Sequence, residues 1–348
     1  MKLRLDVPEP VFRLAEQLES EGFETWTVGG AVRDGLRGRP ADREDWDLAT
    51  RATPAQMRRL FRRTVPLGPE YGTVGVFGED GTLYEITTFR HDVVTYGRKA
   101  VVSFAETVEE DLSRRDFTIN AMAWHPLQQR LLDPHGGLRD LRDGVLRAVG
   151  DPSERFREDY LRVLRGLRFA GSLGLKIEPA TWAGLSGAVP GLARLSQERI
   201  REELVKVLTA PTPSGTLVLY QRSGALEQIL GDVVAPVPQE VLPTVDAVSG
   251  GDFELRLAVL LLCGRRDPHD ASAVAELLTR LRLSRAEVER TVAAMSGGLG
   301  PDASLLAGAA ERRRWVARIG REGVRDVFRV WEGALAAGTA PHGQDSVR

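Results

Sequence analysis

A chain of 348 residues and 38.2 kDa is too long for one ordinary core and predicts two or three domains. Its composition, 42% hydrophobic and 28% charged with a net charge of −2, is that of a globular protein and excludes a strongly basic coat for nucleic acid. No apolar run reaches the roughly 20 residues of a membrane span, the N-terminus has no apolar signal core, and the cytoplasm is the expected compartment. The single cysteine, Cys263, lies in the apolar run LAVLLLC and reads as a buried thiol.

In chain order, Val11, Phe12, Leu14, Ala15 and Leu18 recur at helical spacing across 10–22. A strand is predicted at Thr25–Val28, then Gly29-Gly30-Ala31-Val32-Arg33-Asp34 opens a helix. Asp45–Ala49 reads as a strand, and Thr53-Pro54 starts a helix that ends near Phe61. Val74–Phe77 and Leu83–Phe89, separated by Glu79-Asp80-Gly81, read as a hairpin, with a further strand around Val101–Phe104. After about residue 153 the pattern is helical: 154–173, 197–208, 214–229, 253–263, 271–282, 286–295 and 311–335. Asp232–Pro243, with three prolines, reads as a linker, and Gly338–Arg348 as a loose tail. The expected fold class is α+β: a small mixed sheet with helices, followed by an all-helical remainder.

Asp45-Trp46-Asp47 carries the chemistry. On a strand the two acids share one face with Trp46 opposite, and two carboxylates so close repel unless a cation neutralises them. Mg²⁺ is held by one or two carboxylates plus substrate phosphates, and two ions could activate an attacking hydroxyl and steady a leaving pyrophosphate. An isolated Asp-x-Asp is more often a solvated strand end. Here, however, Gly29 and Gly30 stand about 15 residues upstream between a strand and a helix, where backbone N–H groups can approach phosphate, and Arg33 can add a charged contact. A dinucleotide-binding loop would require G-x-G-x-x-G, which G-G-x-x-R-D does not supply. Glu85, on the strand Leu83–Phe89, reads equally as a third carboxylate or as an ordinary exposed strand acid. The histidines His91, His125, His135, His269 and His342 show no metal-ligand spacing, and Asp267-Pro268-His269-Asp270 lacks the further ligands of a His-Asp phosphohydrolase centre.

GGAVRD followed by DWDLAT resembles the first motif of the class II tRNA nucleotidyltransferases and bacterial poly(A) polymerases, in the DNA polymerase β-like superfamily. Four more segments resemble the family's later motifs in order: Arg114–Ala123 (RRDFTINAMA), Asp133–Leu141 (DPHGGLRDL), Arg157–Phe169 (REDYLRVLRGLRF) and Glu198–Leu204 (ERIREEL). Together with the first they span residues 29 to 204, over half of the chain. The resemblance implies a catalytic nucleotidyltransferase head at 1–140, a helical neck for base selection at 141–230, and a helical body and tail at 231–348 that bind the tRNA acceptor stem and elbow. It implies catalytic and metal roles for Asp45 and Asp47, two Mg²⁺ ions, CTP and ATP as substrates, and tRNA as partner. Arg114, Arg115 and Asp116 would bind triphosphate and ribose, with Asn120 supporting that pocket; a capped helix start explains Asp116 but not the paired arginines. Glu158, Asp159 and Arg162 match the element that selects C, then A, without a nucleic-acid template. Asp159 and Arg162, three apart on a helix, would present acceptor and donor on one face, and Arg165 and Arg168 extend the same basic helix. Alone, such a pair is a surface ion pair worth under about 1 kcal/mol.

The segment Leu67–Phe77, with Gly-Thr-Val, resembles the tRNA-specific branch rather than the poly(A) polymerases. In HDVVTYGRKAVVSF the family's acid–Arg-Arg–Pro loop is missing and Arg98-Lys99 remains, which implies CC addition ahead of full CCA addition, with a separate A-adding enzyme completing the tail. Full CCA addition or A addition is the alternative, followed by poly(A) synthesis and then by an RNA-binding protein without catalysis. Seven arginines against three acids in 311–329 read either as an RNA-facing helix or as a solvated helix face.

Overall fold

The computed structural model describes residues 3–39, 42, 45–68, 72–96, 99–264, 271–301 and 308–339, and the side chains among these except 91–102 and 232. Arg98 and the segment Asp267–Asp270 lie outside the described residues. The chain divides into two compact units, Met1–Arg162 with Leu175–Gly184, and Val163–Gly174 with Leu185–Arg348.

The first unit is built on a seven-stranded mixed sheet. Helix α1 (Glu9–Ser20) buries Val11, Leu14, Ala15 and Leu18, the stripe its periodicity predicts. Strand β1 (Thr25–Val28) leads through Gly29 into α2 (Gly30–Leu36), and β2 (Asp47–Thr50) leads into α3 (Pro54–Leu60). At the start of α3 the Thr53 side chain accepts from Gln56 N while the Gln56 side chain accepts from Thr53 N, so two otherwise unpaired donors are satisfied reciprocally. Next come β3 (Thr64–Pro66), β4 (Thr73–Phe77) and β5 (Leu83–Thr88), the last two forming the expected antiparallel pair. Strands β6 (Arg90–Tyr96) and β7 (Lys99–Phe104) form a separate antiparallel hairpin. After α4 (Val108–Ser113), β8 (Ala123–His125) and β9 (Arg130–Leu132) complete the sheet in the order β3-β4-β5-β2-β1-β8-β9. Only β2 and β5 run parallel in it. Trp26, Val28, Ala49, Phe89, Val108, Leu112, Ala121 and Ala123 pack as one buried cluster. Helix α5 (Gly137–Asp143) and α6 (Pro152–Glu158) follow.

Three sequence expectations shift. The strand at the paired aspartates begins at Asp47, and Asp45 precedes it. The single helix expected over 154–173 is two, α6 and α7 (Leu161–Leu173), because Asp159 is extended at φ −149° and ψ 107°. The helix expected over 214–229 is also two, Pro213–Arg222 and Ala225–Leu230, broken at Gly224 with φ 81°. Its left-handed conformation favours glycine and stops the first helix.

The second unit is helical after α7. The helices Gln197–Leu208, Phe253–Gly264, Ala271–Arg280 and Arg285–Met295 fall within a residue or two of their sequence-predicted bounds. Phe253–Gly264 is buried on nearly all sides, as its continuous apolar run requires. Its Arg256, 4% exposed, donates to the carbonyls of Leu208 and Ala210 at 2.7 and 2.6 Å, satisfying acceptors at and just beyond the end of the helix Gln197–Leu208. The last helix, Ala309–Ala336, breaks its helical dihedrals at Gly320 (φ 72°). Of its arginines, Arg314 and Arg325 pair with Glu311 and Glu322 one turn away, and Arg329 pairs with Asp252 and Asp326. Among the described residues no helix is long and apolar enough to cross a membrane.

Candidate active site

The site forms where the sheet delivers β1, β2 and β5 to one edge. Val28 lies opposite Asp47 in the β1–β2 ladder, and Leu48 lies beside Ile86 in the parallel β2–β5 ladder. One residue earlier on each strand, the alternation turns Asp47 and Glu85 to the face opposite the fully buried Leu48 and Ile86. Asp47 is partly buried and Glu85 is exposed. Asp45 is exposed in the turn before β2, its N–H donating to Asp42 O at 3.1 Å, while Trp46 between the acids is 3% exposed and anchors the segment in the core. Burial pushes the Asp47 carboxyl up to about 6, helped by the negative charges of Glu85 and Asp45 and opposed by Arg115. Glu85 and Asp45 thus both act on Asp47.

Gly29 closes the other side. Its φ of 79° and ψ of −138° favour glycine. A Cβ placed there would lie 3.5 Å from Asp47 Oδ2 and 3.7 Å from Arg115 Nη1, so the bare backbone passes against both the acid and the guanidinium. Gly30 begins α2, and a Cβ on it would come within 3.6 Å of Arg33 Nη2. Arg33 is 8% exposed: its guanidinium forks onto Asp34 at 2.9 and 2.7 Å, and Nη1 donates to Asn120 Oδ1 at 2.8 Å. Asn120 Nδ2 in turn donates to Asp116 Oδ1 at 3.1 Å, which also accepts Phe117 N at 2.9 Å. Arg33 therefore connects the first motif to the second by orienting Asn120 and, through it, Asp116.

The paired arginines share one acid that the sequence reading passed over. Asp111 Oδ1 accepts Nε and Nη2 of Arg114 at 3.0 and 2.8 Å, and its Oδ2 accepts Nε and Nη2 of Arg115 at 3.3 and 3.0 Å. Burial alone would raise the Asp111 carboxyl, but Arg115 and Arg114 beside it hold it below the usual carboxylate range. The spacing is the signal that could have found it, since i to i+3 and i+4 on α4 and its C-cap bring both arginines over one acid.

The third motif braces the second. Asp133 accepts the N–H groups of Gly137 and Leu138 at 2.7 and 2.9 Å, and Asp140 Oδ2 accepts the Thr118 hydroxyl at 2.7 Å. A Cβ on Gly137 would lie 2.1 Å from Thr118 O, which fixes glycine at that position.

Asp159 and Arg162 depart from the expectation. Asp159 caps α6 instead of sharing a helical face with Arg162, and its Oδ1 accepts Leu161 N at 3.0 Å at the entrance to α7. Arg162, 9% exposed, donates to Arg155 O at 2.9 Å, to Arg114 O at 3.0 Å and to Glu158 Oε2. The extended backbone at Asp159 is the reason: a helical face cannot run through it. Asp45, Asp47, Glu85, Gly29, Gly30, Arg33, Arg114, Arg115, Asp116, Asn120, Glu158, Asp159 and Arg162 all belong to the first unit.

Arg165 and Arg168 belong to the second unit. Both guanidiniums lie over the Phe169 ring, 5.1 and 4.3 Å from its centroid, and Arg168 Nε donates to Glu203 Oε2 at 2.7 Å. Glu203, in the fifth motif, also takes Lys206 Nζ at 3.0 Å. The fourth and fifth motifs are thus joined by a buried ion pair. Among the described residues no group of three or more His, Cys, Asp or Glu side chains is arranged to hold a metal ion by itself.

Residues 25–147 match the family described as the poly A polymerase head domain, and residues 174–235 match the one described as the probable RNA and SrmB-binding site of polymerase A. The CCA-adding enzyme of Streptococcus gordonii is 46% identical over 214 residues, covering 61% of this chain and 53% of that protein. The CCA-adding enzyme of Enterococcus faecalis is 44% identical over 213 residues, covering 61% and 51%. The matched region therefore spans about half the length of these relatives. Among solved structures, the Bacillus stearothermophilus CCA-adding enzyme in complex with CTP superposes with a TM-score of 0.76 at 30% identity, covering 95% of this chain and 78% of that one. With both family models matched in order and this likeness over most of both chains, the chain belongs to the family of class II tRNA nucleotidyltransferases and bacterial poly(A) polymerases.

Proposed function

We propose that the protein extends tRNA 3′ ends without a nucleic-acid template, transferring nucleotides from CTP, or CTP and ATP, with release of pyrophosphate. The observation that carries the reading is the placement of the half-buried Asp47 carboxyl, with Glu85 and Asp45 acting on it, against the bare backbone of Gly29 and the Arg115 guanidinium. An acid cluster so under-neutralised fits divalent cations, and Asp45 and Asp47 would hold two Mg²⁺ ions with Glu85 beside them. Bound there, the metals would supply activation of the tRNA 3′-hydroxyl and charge neutralisation at the leaving pyrophosphate. Arg114 and Arg115 bind the triphosphate, Asp116 and Asn120 set the ribose, and Gly29 and Gly30 leave room for phosphate against the backbone. Glu158, Asp159 and Arg162 line the base. Their selecting role requires Arg162 to exchange its present carbonyl and Glu158 partners for the base edge. Arg165 and Arg168 continue the basic helix as nucleotide phosphate contacts.

In this reading residues 1–140 are the catalytic head, 141–230 the neck, and 231–348 the body and tail that bind the tRNA acceptor stem and elbow. Addition of CC, with a separate enzyme adding A, follows from the short stretch around Arg98-Lys99. Full CCA addition is the second reading, favoured by relatives that carry that name at 44–46% identity.

The test is incorporation on a tRNA transcript lacking CCA, with Mg²⁺ and CTP, ATP or both, resolved to single nucleotides. Two added residues with CTP, and no third when ATP is present, support CC addition; a third residue establishes CCA addition. Asp45→Ala and Asp47→Ala should each abolish incorporation while tRNA binding persists. Full activity in either variant would remove the metal-site assignment.

A further inference from the structure

Asp111 lies outside every motif that points to the site, yet it is the most enclosed charge there, with a side chain 1% exposed against 18% and 19% for Arg114 and Arg115. A buried carboxylate is costly unless paired, and here one acid takes four charge-assisted hydrogen bonds from two guanidiniums. Both arginines dock through the same edge, Nε and Nη2. A guanidinium has five N–H donors, so this leaves each arginine the Nη1 edge for another partner. Among the described residues Arg114 Nη1 has no hydrogen-bond partner, and Arg115 Nη1 reaches only Asn120 O, at 3.4 Å. That Arg115 nitrogen is the one beside Gly29 and across from Asp47 Oδ2. The backbone carbonyl of Arg114 meanwhile accepts from Arg162 Nη2 at 3.0 Å. The pair therefore stands between the acid corner and Arg162, and one buried acid sets the aim of both cations.

We propose that Asp111 is a positioning residue for the triphosphate: it turns the Nη1 edges of Arg114 and Arg115 outward as one phosphate clamp and keeps two adjacent like charges from splaying apart. The inference rests on the proposed nucleotide-binding role of the arginine pair and adds the acid that sets its geometry. Asp111 touches neither substrate nor metal. It acts through the arginines, and three charges of net +1 are fixed where a chain of phosphates would lie.

The prediction separates phosphate recognition from everything else. Equilibrium binding of CTP with Mg²⁺, of inorganic tripolyphosphate and of CMP is measured by calorimetry on the full-length protein and on Asp111→Asn. Asn keeps the shape and one acceptor oxygen but presents an NH₂ to one arginine. Loss of charged hydrogen bonds should weaken CTP and tripolyphosphate in parallel, by about 10- to 100-fold, while CMP changes by less than about threefold. In steady state the KM for CTP rises by the same factor and exceeds any fall in kcat. Unchanged CTP affinity in Asp111→Asn overturns the proposal, and so does a loss shared equally by CMP, which would make Asp111 a general fold residue. If Asp111→Asn does not yield folded protein, Asp111→Glu, which keeps the charge and displaces it by one methylene, is read by the same ratios. A wild-type protein that binds neither CTP nor tripolyphosphate would instead refute the proposed function itself. A wild-type protein that extends tRNA beside an unaffected Asp111→Asn refutes the role of Asp111 alone.

Discussion

Replacing Glu203 by Gln tests whether the fourth and fifth motifs are held together by charge. Glu203 has a side chain 2% exposed, facing Arg168 at 15% and Lys206 at 54%. The Lys206 contact is half in solvent and contributes under about 1 kcal/mol. The Arg168 contact is the costly one to break, since removing one partner of a buried pair leaves an uncompensated charge at about 3–5 kcal/mol. Gln retains the volume and one acceptor for Arg168 Nε, so the expected destabilisation is about 2–4 kcal/mol at pH 7, read from urea unfolding. The pH dependence identifies the cause. Burial would raise the Glu203 carboxyl, but Arg168 and Lys206 hold it below the usual glutamate range. A depressed folded-state value means that the unfolded chain binds the proton more readily, so the stabilisation is complete above the unfolded value near 4.3 and is lost as pH falls below it. The gap between wild type and Glu203→Gln should therefore narrow as pH falls from 6 toward 3. A gap under about 1 kcal/mol at pH 7, or one that does not narrow in acid, would show that apolar packing, not the ion pair, joins these helices.

Two glycine substitutions separate strain at the site from strain in its support. Gly29→Ala meets only ordinary contacts, 3.5 Å to Asp47 Oδ2 and 3.7 Å to Arg115 Nη1, but at φ 79° and ψ −138° it carries backbone strain of about 1–3 kcal/mol. It should lower nucleotide incorporation more than about tenfold while urea unfolding shifts modestly; retained activity would show that the backbone there does not approach phosphate. Gly137→Ala puts a Cβ 2.1 Å from Thr118 O and 2.7 Å from its carbonyl carbon, so backbone must move at an expected cost of about 1–3 kcal/mol. Incorporation should fall with stability, because Thr118 belongs to the second motif; wild-type unfolding would mean that the α5 contact yields without resistance.

How much of this was legible in the sequence depended on the range of each interaction. Local chemistry was readable: Thr53 and Gln56 cap α3 as the Thr-Pro start implied, β1 has the expected bounds, and the β4–β5 hairpin follows its turn. Gly29 was readable as a special backbone position because strand, glycine pair and helix follow one another directly, and it adopts φ 79°. Asp111 was legible in principle, since its spacing to Arg114 and Arg115 is helical, but a lone acid before two arginines resembles any solvated pair until burial is known. Arg168 with Glu203 was not legible, because 35 residues separate them and no local rule brings α7 against Gln197–Leu208. The error at Asp159 is the most instructive. Periodicity treats 154–173 as one helix, yet one residue in extended conformation divides it, and the Asp159 carboxylate then accepts the N–H of Leu161, the first residue of the second helix. Aspartate is better suited to a helix boundary than to a helix interior, so its presence within the periodic run was a signal that periodicity alone overrode. The break also frees the start of α7 to set Arg162 against the carbonyls of Arg155 and Arg114. Through the Arg114 carbonyl, a displacement of Arg162 would act on the backbone of an arginine pair whose side chains share Asp111.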